Sequence, residues 1–209
     1  MNQKENLVAL LLKFPGVGPK QAQRFAYYLM KQSKGYVDQL TSALQDIKMH
    51  SKQCAHCYTW FSIENNSGDL CNICKDENRD QSELLLVEKE LDIDAIEKTG
   101  EYTGKYFVLG GRLPFLADNP KEHIRIQELV SRIITLLKEE ENKNLKEIIF
   151  ALPVNDEGDN TVEYIQKTIN QIVGIDKIKI SHLARGVSTG LEMEYIDKNT
   201  FKYAFNSRN

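Results

Sequence analysis

Cys54-Ala55-His56-Cys57 and Cys71-Asn72-Ile73-Cys74 hold all four cysteines of the chain. Each pair leaves two residues between its thiols, a spacing that lets both turn inward on one metal. Two such knuckles make the tetrahedral sulfur cage that Zn²⁺ prefers. The expectation is one structural zinc per chain, held by Cys54, Cys57, Cys71 and Cys74. A catalytic zinc keeps one position open for water, and four thiolates leave none. His56 could replace one ligand, but it lies inside a pair that is already complete, and the preferred reading places it in the knuckle turn. Trp60 and Phe61 stand between the pairs and are expected to cover a module too small for a core of its own.

Outward from the cysteines towards the N-terminus, the texture is helical. Leu7, Leu10, Leu11 and Phe14 recur at one-face spacing, predicting a first helix over residues 5–14. Pro15-Gly16-Val17-Gly18-Pro19 breaks it. A second helix is predicted over residues 20–31, with Ala22, Phe25, Ala26 and Leu29 buried and Lys20, Arg24, Tyr27 and Lys31 on the opposite face. This pattern is a helix-hairpin-helix. The hairpin places Gly16 and Gly18 at the positive end of the second helix, a natural anion site that Lys20 and Arg24 extend. The expected ligand is a phosphate backbone, gripped without regard to sequence. A third helix is predicted over residues 36–49, with Leu40, Ala43, Leu44 and Ile47 in register.

The charge split suggests a basic working end on an acidic body, although charge alone favours a lysine-bearing helix face that is merely solvated. The whole chain carries a net −3 over 209 residues, yet residues 1–35 sum to +5 and the rest to −8. The N-terminus lacks the pattern of a secretory signal, and no run is long and apolar enough to span a membrane. Cysteines at metal spacing suit a reducing compartment. A cytoplasmic protein is expected.

Beyond residue 80 strands and helices alternate. Strands are predicted at 84–87, 106–109, 148–152 and 177–184, with helices at 92–98, 121–140 and 161–173. Such alternation implies a mostly parallel sheet with helices on both faces. Leu191–Ile196 reads as an edge strand or extended arm. The expected organisation is an all-α part at 1–50, a zinc module at 51–80, an α/β domain at 81–175 and a C-terminal arm region at 176–209.

Acidic residues fall where such sheets gather ligands, at the carboxyl ends of strands. Glu88 follows the first strand; Asp156, Glu157 and Asp159 follow the third, with Asp159 placed to cap the next helix. Glu88, Glu157 and Asp159 are a candidate Mg²⁺ cluster. The preferred reading is that they fill loops and cap helices. The chain has no Gly-x-Ser-x-Gly elbow and no Walker A loop, so hydrolase and ATPase chemistry lack support.

The order of parts resembles the bacterial recombination mediator family RecR. The residues that carry the likeness are Phe14-Pro15-Gly16-Val17-Gly18-Pro19-Lys20 with Arg24, both cysteine pairs, Val87-Glu88, Gly104-Lys105-Tyr106-Phe107-Val108-Leu109, Glu157-Gly158-Asp159 and Ala184-Arg185-Gly186-Val187. The resemblance implies that the α/β unit is a Toprim domain and that the role is non-enzymatic. It implies dimers or tetrameric rings that work with RecO-like and RecF-like proteins to load RecA on gapped DNA coated by single-strand-binding protein. Lys20 and Arg24 then fall on DNA contacts, Cys54, Cys57, Cys71 and Cys74 on zinc ligands, and Glu88, Glu157 and Asp159 on partner contacts.

The chain departs from the family pattern after Gly111, where Arg112-Leu113-Pro114-Phe115-Leu116-Ala117-Asp118 replaces a Leu-Ser-Pro-Leu-Asp-Gly run. Two rival functions stand beside the mediator: a Mg²⁺-dependent Toprim nuclease or strand-passage relative, and a protein-interaction adaptor whose hairpin is structural.

Overall fold

A computed structural model of the chain describes residues 2–63, 68–117, 119–138, 145–172, 174–183 and 200. The anticipated arm at 191–196 and the Ala184-Arg185-Gly186-Val187 stretch lie outside these residues. The chain forms two compact units, Met1–Ser51 and Lys52–Asn209.

The first unit is all helix: α1 (Gln3–Leu11), α2 (Pro19–Lys31) and α3 (Lys34–Met49). Asn2 starts α1 with a capping box, its side chain accepting from the Glu5 N–H while the Glu5 carboxylate accepts from the Asn2 N–H. α1 packs on α2, where Ala22 and Ala26 are completely buried. Small side chains there let the two helices approach closely.

Three expectations change. α1 stops at Leu11 rather than at Phe14, because the chain turns through Lys13 and Phe14, whose N–H groups donate to Leu10 and Leu11. Its inner face is Leu7, Val8 and Leu11, while Leu10 and Phe14 are exposed. In α2, Phe25 is also exposed, leaving Ala22, Ala26 and Leu29 as the packing stripe. In α3 the apolar stripe has the right period but no cover within the unit: Leu40, Leu44 and Ile47 are all exposed, Ile47 by 65%.

The second unit begins with a two-stranded ribbon, β1 (Ser51–Gln53) and β2 (Trp60–Ser62), and one helical turn, α4 (Asn72–Lys75). A four-stranded sheet follows, made of β3 (Glu83–Val87), β4 (Lys105–Val108), β5 (Glu147–Ala151) and β6 (Lys179–His182) in the order β4-β3-β5-β6. Every pairing is parallel, with Leu86 level with both Phe107 and Phe150. The connecting helices are α5 (Glu90–Glu97), α6 (Ile126–Leu137) and α7 (Asp156–Ile169).

Strand alternation sorts the core into two layers. Leu84, Leu86, Phe107, Ile148 and Phe150 face one way, into a cluster with Leu129 and Ile133 of α6 and Ile165 and Ile169 of α7. Leu85, Val87, Tyr106 and Val108 face the other way, into a cluster with Ile93 of α5 and Cys54, Cys57 and Cys71. The cysteine module is therefore part of the sheet's cover.

Helix ends shift from expectation. Pro120–Glu122 forms a separate 3₁₀ turn, so α6 starts at Ile126 and not near Lys121. α7 starts at Asp156, ahead of the predicted residue 161, because Asn155 caps it, accepting from the Gly158 N–H at 2.8 Å. Asp159 lies in the first turn and is not the cap. Gly158 belongs there for a packing reason: a Cβ would run into the carbonyl oxygen of Pro153. A 3₁₀ turn at Ile175–Lys177 takes the start of the fourth predicted strand.

Candidate functional site

The hairpin between α1 and α2 turns on Gly16, whose φ of +76° suits glycine. Gly18 is the N-cap of α2 in extended conformation, and Pro19 occupies the first turn, where its missing N–H costs nothing. As a glycine, Gly18 supplies no side-chain cap to α2. Lys20 and Arg24 are exposed on this helix, as is Lys31. Lys4 of α1 donates to the Tyr27 hydroxyl at 2.7 Å, with its ammonium 4.1 Å from the ring centroid. That hydrogen bond holds the Tyr27 phenol below its usual pKa. Lys4 thus joins the cationic side of α2, a placement that only tertiary packing reveals. The arrangement offers an anion the positive end of a helix whose N-cap has no side chain, beside two exposed cations.

The four cysteine sulfurs lie within 4.8 Å of one another, and Cys57 Sγ sits 3.5 Å from Cys71 Sγ. His56 is not part of this group. The first knuckle closes through hydrogen bonds from Cys54 N–H to Thr59 and from Tyr58 N–H to Cys54, with Tyr58 in the left-handed region at φ 65°. In the second, the Cys71 N–H points at Cys54 Sγ at 3.4 Å, and Cys71 caps α4. An ion pair between Lys52 and Asp69 ties β1 to the approach of Cys71.

Hydrogen bonds from Cys57, Cys71 and Cys74 pull the Cys54 thiol far below its ordinary pKa, whereas Cys57 is pushed up by sharing a proton with its neighbours. Four sulfurs this close cannot all ionise without a cation among them. The donor set fits a tetrahedral thiophilic metal.

The module also guards the sheet edge. β4 pairs with β3 on one side, and on the other the Val108 N–H donates to the Cys57 carbonyl at 2.9 Å. Lys105, only 4% exposed, donates from Nζ to the carbonyls of Ile73, Cys74 and Asp76 at 2.9, 3.3 and 2.7 Å. Burial lowers its pKa, an effect that the nearby Cys74 opposes. Phe61 packs onto this layer, but Trp60 is exposed, so the cover expected of both aromatics comes from one.

The acidic residues occupy the other notable place. Strand order reverses direction between β3 and β5, the switch point where open α/β sheets gather ligands. Glu88 leaves the end of β3, and Glu157 lies in the first turn of α7 after β5. Arg112 bridges them: its Nε donates to Glu88 Oε1 at 3.1 Å and its Nη1 lies 3.4 Å from Glu157 Oε2. Asp159 is exposed in the same turn as Glu157. Sequence reasoning grouped the carboxylates but missed Arg112 as their partner. Its signal was visible as a cation directly after the second predicted strand, at the start of the departure from the family pattern.

Comparison with known proteins agrees with this architecture. Residues 4–48 match the family model described as RecR, helix-hairpin-helix, and residues 82–184 match the Toprim domain model. The chain is 34% identical to a recombination protein RecR of Nocardia farcinica, covering 98% of this chain and 96% of that protein. It is 36% identical to a recombination protein RecR of Francisella philomiragia, covering 97% and 92%. A recombination protein RecR of Bdellovibrio bacteriovorus is 35% identical over 98% and 95%.

Proposed function

The chain belongs to the RecR family of recombination proteins, and on that premise we propose that it is a non-enzymatic mediator of DNA recombination and repair. The observation that carries this reading is the helix-hairpin-helix with Lys20 and Arg24 exposed beside the uncapped start of α2. Gly16 and Gly18 bring backbone close to a phosphate, and the two cations hold it. Binding of this kind is indifferent to sequence and weakens steeply with salt.

One hairpin grips few phosphates. An acidic protein gains by assembling several hairpins around one DNA, which raises avidity without high affinity in any one. The exposed stripe Leu40, Leu44 and Ile47 supports self-assembly into dimers or a tetrameric ring. The four cysteines hold one Zn²⁺ that fastens their module onto the sheet; the metal's contribution is structural. Glu88, Glu157 and Asp159 form a face for RecO-like or RecF-like partners, and the complex places RecA on gapped DNA covered by single-strand-binding protein. Among the described residues no helix is long and apolar enough to cross a membrane, and a cytoplasmic site of action suits cysteines committed to metal rather than to disulfides.

The test is RecA filament assembly on gapped DNA pre-coated with single-strand-binding protein, with and without the chain and its partners. Acceleration that needs the chain supports mediation; no change contradicts it. Incubation with Mg²⁺ or Mn²⁺ and the same DNA tests the nuclease rival, which predicts nicking that disappears in Glu88→Gln.

A further inference from the structure

We propose that the Arg112 guanidinium takes the place of a divalent cation between Glu88 and Glu157, closing the acidic cluster to Mg²⁺ with one of the protein's own side chains. Two carboxylates converging from separate strand ends are a common way to hold Mg²⁺, which demands oxygen ligands at short, near-octahedral distances. Here the space between them is filled. Arg112 reaches Glu88 at 3.1 Å through Nε and Glu157 at 3.4 Å through Nη1.

The plug is anchored at its root. The next residue, Leu113, donates its N–H to Thr161 Oγ1 at 2.8 Å, and Asn160 Nδ2 donates to the carbonyls of Leu113 and Pro114 at 3.1 and 3.3 Å. Thr161 and Asn160 sit on α7, the helix whose first turn carries Glu157. The backbone around Arg112 and one of its two carboxylates are therefore held by the same helix. A guanidinium stays charged throughout the physiological range, so the plug has no pH release there.

The two carboxylates then differ in use. Glu88 is 14% exposed and faces inward to Arg112, whereas Glu157 is 51% exposed. Glu157 is the acid that a cation of a docking partner can reach, and Glu88 positions the plug. The inference deepens the non-enzymatic reading and rests on it for the partner-facing role alone. DNA binding through Lys20 and Arg24 is measured separately and is unaffected by either result.

The experiment is calorimetric titration of MnCl₂ into the zinc-loaded full chain and into Arg112→Gln. The unaltered protein should show no saturable site. Arg112→Gln should gain one with a Kd on the order of 1 mM, lost again in Arg112→Gln/Glu88→Gln. If Arg112→Gln melts at a lower temperature, Arg112→Met keeps the aliphatic stem and the same readings apply. A Glu88-dependent Mn²⁺ site in the unaltered protein would overturn the proposal. So would the absence of any new site in a variant that melts like the starting protein.

Discussion

Lys105 Nζ, buried at the start of β4, donates to the Ile73 carbonyl at 2.9 Å and so joins the sheet to the second cysteine knuckle. The same ammonium caps the carbonyls of Cys74 and Asp76, where the single turn of α4 ends. Its positive charge also lies near Cys74 and Cys71.

Lys105→Met should therefore act on stability and metal together. It leaves three carbonyls, of half-buried Ile73 and Cys74 and of exposed Asp76, without this donor, which costs about 1–3 kcal/mol. Urea unfolding should shift to a lower midpoint, and a chelator should strip zinc faster. Unchanged values in both measurements would remove Lys105 from the account of the module.

Removal of the proposed zinc should reach the Toprim core. Cys54, Cys57 and Cys71 share one buried layer with Leu85, Val87 and Tyr106, so opening the cage uncovers the sheet face. Cys57→Ser, at a completely buried position, should lower the melting temperature by roughly 10 °C, corresponding to about 3 kcal/mol or more in a chain of this size. Dye binding to exposed apolar surface should rise with it. A variant free of zinc that melts like the parent would contradict this.

Arg79 and Glu97 make a two-pronged pair at 2.8 and 2.6 Å, and the Tyr106 hydroxyl adds a 2.5 Å hydrogen bond to the same carboxylate. The Arg79 hydrogen bond, above all, holds Glu97 below its usual pKa. A depressed carboxyl stabilises the fold fully above its unfolded value, about pH 4.3, and the contribution fades as pH falls through the folded value. Glu97→Gln should cost about 1–2 kcal/mol at pH 7. The gap to the parent should narrow in urea titrations below about pH 4. A gap that stays constant to pH 3 would show that charge is not its source.

Much of the fold was legible from periodicity. The four strands were predicted in order, and helices were expected on both faces of the sheet, because apolar runs bounded by glycine and acidic loops have few other readings. The helix ends were harder. Gly158 suggests a tight turn after the third strand, but in the first turn of α7 it answers a close approach of Pro153 that no local pattern announces. The α3 stripe kept its period, yet Leu40, Leu44 and Ile47 are exposed within the first unit, since period says which face is apolar and not what lies against it.

The four-cysteine cluster was legible because metal-ligand chemistry depends on local spacing. Lys105 and Arg112 were not, because their partners lie far along the chain: Lys105 meets Ile73, and Arg112 meets Glu88 and Glu157. A lysine opening an otherwise apolar strand, and an arginine just beyond its end, were the available hints.

Fluorescence anisotropy of a labelled gapped duplex, titrated with the full chain and with Lys20→Glu/Arg24→Glu, tests DNA gripping most directly. The unaltered protein should bind with an affinity that falls steeply as salt rises. The double variant should lose binding while keeping its zinc content and melting temperature. Equal affinity of the two proteins for the gapped duplex would contradict phosphate binding by this hairpin.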